Sequence, residues 1–215
     1  MSEKESLPPE LIDALQEVGN IGAGHAANAL AEILNRRIDL SLPKFNILSL
    51  EELSTVSWGN KNEWDPYAFI MVQTKGTYQF SILVIFNKET IVSILRLISG
   101  ETFDAETMDL DELSKFDQSA TTEIGNILAL HYLTAIGDFL DIKFKDEDLP
   151  SQPSLVIETS EAVLLSLAAS TSSDFMNIIS IECEIFTSDM ILKPVVVLIP
   201  DQKTISNARE KLFGQ

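Results

Sequence analysis

The sequence has few basic residues and no long apolar run, and each shortage excludes a class of protein. Its 15 Lys and Arg are outnumbered by 33 Asp and Glu, giving a net charge of -18. Such a chain has no basic surface for nucleic acid or for an anionic membrane, and we interpret the charge mainly as a source of solubility. No apolar run approaches the roughly 20 residues of a membrane helix, and the N-terminus lacks an apolar signal core.

Cysteine is equally scarce, since Cys183 is the only one and no intramolecular disulfide can form. This usage fits a reducing compartment, so we predict a cytoplasmic protein. Cys183 lies in the apolar run 178–186, where we predict a buried side chain rather than a nucleophile. With 215 residues, 45% of them hydrophobic, the chain can bury a sizeable core in one domain.

The clearest feature that is present is an internal repeat, found by shifting residues 13–34 by 106 positions onto residues 119–140. A second pair of segments agrees at a shift of 114. We therefore predict a single domain over residues 1–215 made of two repeats, about 8–102 and 108–215. The matched identities are Glu17 with Glu123, Gly19 with Gly125, Asn20 with Asn126, Ile21 with Ile127, His25 with His131, Thr90 with Thr204, and Gly100 with Gly214.

Each repeat has the same predicted order of a long helix, a strand, a hairpin and a short capped helix. This order predicts an α+β fold of two pseudo-symmetric repeats, with an antiparallel sheet packed against long helices. Segments 60–65 and 100–109 have the composition of surface loops. The predicted elements are long helices at 8–35 and 110–140, strands at 45–50 and 155–158, hairpins at 67–86 and 178–199 with turns near Gly76 and Asp189, an apolar helix at 162–169, and short helices after the caps Asn87 and Asp201, ending at Gly100 and Gly214.

Both long helices carry the same polar stripe at positions i, i+4 and i+7, which share one helix face. The stripe comprises Asp13, Glu17 and Asn20 in the first copy and Ser119, Glu123 and Asn126 in the second. A Glu-x-x-Asn spacing is common on solvated helices, but its repetition in register favours a function. A Gly also precedes each Asn, at Gly19 and Gly125, although Gly in a helix costs about 1 kcal/mol relative to Ala. We expect these glycines to let another backbone approach closely.

The chemistry of the stripe suits hydrolysis of a phosphoryl group that is already activated. A carboxamide cannot act as a general base near neutral pH, but it can hold a water through one donor and one acceptor bond. Proteins that transfer phosphoryl groups mainly position the reactants and stabilise charge. A carboxylate one turn away can pair with a lysine of a partner.

The pattern Asp/Ser-x3-Glu-x2-Asn followed by a proline about 22 residues later resembles that of the CheC/CheX/FliY family of chemotaxis phosphatases. The proline is Pro43 in the first copy, after 22 residues, and Pro150 in the second, after 23. Two motifs in one chain resemble the CheC branch more than the CheX branch. The resemblance spans nearly the whole chain.

The resemblance implies a chemotaxis hydrolase of two-component signalling whose helices dock on phosphorylated CheY, a response regulator. It implies that Asn20 and Asn126 orient the attacking water and that Glu17 and Glu123 bind the regulator's lysine. It further implies that the regulator supplies Mg²⁺, that this chain binds no cofactor, and that the deamidase CheD is a partner. We expect a monomer.

Other readings of the sequence remain open or are less favoured. A non-catalytic adaptor that binds CheY or CheD is the main alternative, and a flagellar-switch component is less favoured without an added domain. His25 and His131 are too few for a metal site, and we favour a packing or hydrogen-bonding role. Residues 19–27 lack the strand and pattern of a phosphate loop. Trp58 and Trp64 are interpreted as packing or loop anchors.

Overall fold

The computed structural model describes residues 9–49, 52–53, 58, 65–142, 149–170 and 178–214. In chain order the elements are α1 (Pro9–Leu34), β1 (Asp39–Leu40), β2 (Lys44–Leu48), β3 (Tyr67–Gln73), β4 (Phe80–Phe86), α2 (Lys88–Ser99), α3 (Lys115–Phe139), β5 (Ser154–Glu158), α4 (Ser160–Ser170), β6 (Ile178–Glu182), β7 (Ile185–Phe186), β8 (Ile191–Leu192), β9 (Val195–Pro200) and α5 (Gln202–Phe213). The predicted α+β class with an antiparallel sheet and long helices is confirmed.

A six-stranded antiparallel sheet in the order β2-β6-β9-β4-β3-β5 forms the centre of the molecule. Each leading strand pairs with the hairpin of the other repeat: β2 pairs with β6, and β5 pairs with β3. At the middle of the sheet β4 pairs with β9, and Leu83 lies opposite Val197, which is 114 positions further along the chain. Two repeats related by a two-fold axis through this pair would give this mirrored order.

The central strands are buried on both faces, and each face has its own apolar cluster. Helices α1, α2, α3 and α5 cover one face, where the side chains of even-numbered residues of β3 and β4, such as Ile70 and Val84, are buried. Helix α4 and the residues Leu53 and Trp58 cover the other face. Trp58 is 6% exposed and makes edge contacts with Tyr67 and Phe69, which confirms its packing role; Trp64 lies outside the described residues.

The short helices α2 and α5 end as their sequences predict. The Asn87 side chain accepts a hydrogen bond from the Thr90 N–H, and the Asp201 side chain accepts one from the Thr204 N–H. Gly100 and Gly214 both adopt a left-handed conformation, with φ of 73° and 65°. Since glycine has no Cβ, it takes this conformation without steric cost, and both helices stop there.

Two predicted boundaries were wrong. The long helix α3 begins after Ser114 rather than at Leu110, because Ser114 and Asp117 form a capping box and residues 110–112 form a separate 3-10 turn. The second hairpin is not continuous: β6 and β9 belong to the central sheet, whereas β7 and β8 pair with each other and with β1 in a small second sheet. Pro194 lies between β8 and β9, where a residue without an N–H cannot extend the ladder.

The other predicted elements agree with the structure where it describes them. The first hairpin comprises β3 and β4, and α4 covers the predicted apolar helix at 162–169. Segment 100–109 contains turns and no regular helix or strand. The predicted helix start at Pro8 and the loop residues 60–64 lie outside the described residues. No helix among the described residues is long and apolar enough to cross a membrane.

Candidate active site

The two stripes lie on the outer sides of α1 and α3, the helices that pack against each other on the sheet. Glu17 and Asn20 are both exposed on α1. Glu123 is exposed on α3, whereas Asn126 is half-buried there. The side chains of these four residues make no hydrogen bond or ion pair with any residue that the structure describes. Their polar atoms are therefore available to a bound molecule.

Asp13 and Ser119, which precede the Glu of each stripe by one turn, are exposed as well. Asp13 supplies a carboxylate where Ser119 supplies a neutral hydroxyl. The two stripes thus keep the same Glu and Asn but differ by one charge at the neighbouring position. A negatively charged partner meets less repulsion at the α3 stripe for this reason.

Gly19 and Gly125 lie on the inner sides of the same helices, where both are buried. A Cβ on Gly19 would lie 2.0 Å from Cε2 of Phe45, and a Cβ on Gly125 would lie 2.7 Å from Cγ1 of Ile70. The close approach at each glycine is therefore made by a side chain of the chain's own sheet. The expected approach of another backbone is not what the structure shows at these two positions.

The two prolines of the motif differ in their place relative to the strands that follow them. Pro43 directly precedes β2, and Ser41 nearby exchanges two hydrogen bonds with Glu184, both at 2.9 Å. Ser151 exchanges the same two bonds with Gln73, at 2.7 and 3.0 Å.

This shared bonding aligns Ser41 with Ser151, and therefore Pro43 with Pro153, which directly precedes β5. Pro150 has the closer motif spacing, but it is not the backbone equivalent of Pro43. The extra residues between Asn126 and the strand account for the difference. Both Pro43 and Pro150 are half-buried.

His25 and His131 come together where α1 crosses α3, which the sequence did not predict. Their ring centroids are 6.3 Å apart and the ring planes are inclined by 71°. Burial and the neighbouring His25 lower the pKa of His131. Within the described part of the chain, no three His, Cys, Asp or Glu residues are grouped as they would be around a metal ion.

Gly22 is the residue of this region that sequence reasoning missed. A Cβ there would lie 2.8 Å from Cδ1 and 3.2 Å from Cα of Tyr132, which is fully buried. The glycine therefore permits the close contact between α1 and α3. Its counterpart at the 106-residue shift is Leu128, so the repeat carries no signal for it.

Cys183 is buried, as predicted, and burial raises the pKa of its thiol to about 11. At neutral pH the residue is a thiol rather than a thiolate, and the thiolate is the nucleophilic form. Cys183 therefore contributes to the core beside the buried Tyr132 and takes no part in the candidate site.

Comparison with known proteins defines the class to which this fold and site belong. The model of the CheC-like family matches residues 11–47, which include the first Glu-Asn pair and Pro43. The chain is 34% identical over 218 residues to the CheY-P phosphatase CheC of Bacillus subtilis, covering 99% of this chain and 97% of that protein. The chain belongs to the CheC-like family.

Solved structures share the fold at much lower identity. The Thermotoga maritima FliY structure superposes with a TM-score of 0.69 at 19% identity, covering 97% of this chain and 98% of that one. FliM in the Helicobacter pylori FliM–SpeE complex gives a TM-score of 0.63 at 11% identity, with 97% of each chain covered. These likenesses extend the fold to FliY and FliM and do not bear on activity.

Proposed function

We propose that this chain hydrolyses the aspartyl phosphate of the response regulator CheY in the cytoplasm. In this proposal Asn20 and Asn126 orient the attacking water, and Glu17 and Glu123 anchor the regulator. The Bacillus subtilis relative is a CheY-P phosphatase, and its likeness extends over the full chain. The regulator supplies Mg²⁺, and CheD remains a further predicted partner.

One observation carries the proposal, namely which exposed positions are identical between the two long helices. Exposed side chains have no packing reason to stay alike after a duplication. Accordingly Asp13, Gln16, Asn28, Glu32 and Ile33 are all exposed on α1 and all differ from their counterparts 106 positions later. Four exposed residues keep identical counterparts, namely Glu17, Asn20, Ile21 and His25. His25 contacts His131 within the chain and Ile21 is apolar, so Glu17 and Asn20 are the retained polar residues that no contact among the described residues explains.

The proposed roles follow from the chemistry of the two side chains. The Asn carboxamide can accept one hydrogen bond from the attacking water and donate another to a phosphoryl oxygen. The Glu carboxylate can pair with a lysine ammonium, which fixes the register of the two proteins. A correctly oriented water lowers the barrier because the electrophile is already activated and the protein mainly supplies position.

The test is the rate of phosphate loss from the phosphorylated CheY of the same organism, with Mg²⁺ present. We expect the wild-type chain to accelerate the loss and the double variant Asn20→Ala, Asn126→Ala to leave CheY-P at its spontaneous rate. Each single variant should retain the activity of the other site. The matched control is Asn28→Ala, since Asn28 is an exposed asparagine of α1 outside the stripe.

Binding must be measured beside the rate to separate catalysis from sequestration. The double variant should still bind CheY that is loaded with beryllium fluoride and Mg²⁺, because Glu17 and Glu123 are intact. A wild-type chain that binds CheY-P without accelerating phosphate loss would overturn the phosphatase proposal and favour the adaptor.

A further inference from the structure

Helix α3 exposes a large aromatic side chain in its first turn. Phe116 is 58% exposed, and it is the one exposed Phe, Tyr or Trp among the side chains that the structure describes. Aromatic residues are enriched at protein interfaces because they bury a large apolar area with few rotatable bonds. An isolated exposed apolar residue needs no explanation, so the position of Phe116 decides its meaning.

Phe116 extends the stripe that contains the candidate catalytic pair. It precedes Glu123 by seven residues, which is two helical turns and about 20° from alignment on an ideal helix. Phe116, Ser119, Glu123 and Asn126 therefore form one line about 15 Å long. Apolar and polar side chains at such intervals are how a helix docks along a groove of a partner.

The start of α3 holds Phe116 in place. The Ser114 hydroxyl accepts a hydrogen bond from the Asp117 N–H at 3.2 Å, and the Ser114 N–H donates to the Asp117 carboxylate at 3.2 Å. This capping box fixes the first turn, so the aromatic ring projects from an ordered backbone. Because this turn is already ordered, binding to a partner there costs less conformational entropy of α3 than it would at a frayed helix terminus.

The first stripe offers no apolar group at the corresponding position. At the 106-residue shift, Glu10 takes the place of Phe116 and Asp13 takes the place of Ser119. Where the two stripes differ, the α1 copy carries an acid and the α3 copy a neutral residue. A phosphorylated aspartate site is itself negative, as is this chain of charge -18, so an apolar contact adds an attraction that does not depend on charge to the proposed pairing of Glu123 with a lysine.

We propose that Phe116 is a docking residue that packs against an apolar patch of CheY beside the phosphorylated site and makes the α3 stripe the tighter-binding site. This proposal rests on the proposed phosphatase function. Phe116 does not touch the reacting atoms, and it acts by holding the regulator in register with Glu123 and Asn126. Its removal therefore changes the concentration of CheY-P that half-saturates the enzyme, and not the maximal rate.

The experiment isolates the α3 site with Asn20→Ala and measures dephosphorylation against CheY-P concentration. We expect Phe116→Ala in that background to raise the half-saturating concentration about tenfold, which corresponds to about 1.4 kcal/mol. The maximal rate should change by less than about twofold, and Phe116→Leu should restore most of the affinity. When Glu17→Ala is added to remove binding at the α1 stripe, the affinity for beryllium-fluoride-loaded CheY should weaken by the same factor.

Two controls separate docking from general damage. Ile33→Ala removes an apolar side chain of α1 that is 59% exposed, and it should change neither parameter. Phe116→Ala combined with Asn126→Ala, which leaves only the α1 site active, should also have no effect. The urea midpoint of each variant verifies that the fold is retained.

The possible results discriminate between this proposal and the one on which it rests. If the wild-type chain accelerates phosphate loss but Phe116→Ala leaves the half-saturating concentration of the α3 site unchanged, the docking role is wrong and the phosphatase function stands. An equal effect of Phe116→Ala on both sites would also overturn it. If wild type neither binds CheY-P nor accelerates its hydrolysis, both proposals fail together.

Discussion

The contact between α1 and α3 depends on Gly22, and its replacement by alanine tests how tightly the two helices pack. The added Cβ would lie 2.8 Å from Cδ1 and 3.2 Å from Cα of Tyr132. Tyr132 is 0% exposed, so its ring cannot move aside into solvent without opening the core. An extra methyl group forced into such a core costs about 1–3 kcal/mol.

Gly24, two residues further along α1, is a matched control. A Cβ there would have no atom within 4 Å, so Gly24→Ala meets no obstruction. Both substitutions gain the preference of a helix for alanine over glycine, about 1 kcal/mol. Gly24→Ala should therefore stabilise the chain by up to that amount, and the unfolding free energies of the two variants should differ by about 1–3 kcal/mol.

Urea unfolding followed by far-ultraviolet circular dichroism measures this difference, provided that both variants give the same slope with urea concentration. Equal slopes show that the two variants expose the same surface on unfolding. The reasoning is refuted if Gly22→Ala unfolds at the same or a higher urea midpoint than Gly24→Ala. That result would mean that the two helices can separate without cost.

Three further predictions concern the buried thiol of Cys183, the imidazole of His131 and the cavity beside Ala208. Because burial raises the pKa of Cys183 to about 11, iodoacetamide at pH 8 should label the thiol only after unfolding; labelling of the native chain at the unfolded rate would contradict this. The pKa of the His131 imidazole is lowered from 6.5 in the folded chain, so the unfolded chain binds a proton there more tightly. The stability that comes from keeping His131 neutral is present above about pH 6.5 and is lost as the pH falls through the lower folded pKa. His131→Gln should reduce the fall in the urea midpoint between pH 7.5 and pH 5.5, and a pH profile identical to that of the wild type would contradict this prediction. Ala208 of α5 lines an apolar cavity of about 50 Å³, whereas its counterpart 114 positions earlier, Ile94 of α2, is a larger side chain that is 2% exposed. Ala208→Ile should therefore fill the cavity and raise the unfolding free energy by about 0.5–2 kcal/mol. A lower melting temperature would show that the cavity cannot accept the side chain.

The features that sequence reasoning predicted well are those fixed by neighbouring residues. Asn87 and Asp201 cap their helices because their side chains reach an N–H only three residues ahead. The outward position of Glu17 and Asn20 follows from the helical period and the apolar residues between them. Ser114 with Asp117 is a similarly local signal, and it marks the start of α3 that the predicted boundary at Leu110 missed.

The features that were missed depend on contacts between distant segments. The meeting of His25 with His131 and the fit of Gly22 against Tyr132 both require the packing of α1 on α3, which no local pattern encodes. The same holds for the glycines before the two asparagines. Their inner neighbours, Phe45 and Ile70, come from strands whose position was set only by the complete sheet.

The exchange of strands between the repeats explains how the two candidate sites can diverge while the fold cannot. Strand β2 completes the hairpin of the second repeat and β5 completes that of the first, so each half depends on the other for its edge of the sheet. A change in the sheet or at Gly22 therefore affects both sites through the shared core. The stripes make little such contribution, since Glu17, Asn20, Glu123 and Phe116 are exposed and Asn126 is only half-buried. Substitutions there should change one site at a time, and this independence is what makes the single-site backgrounds interpretable.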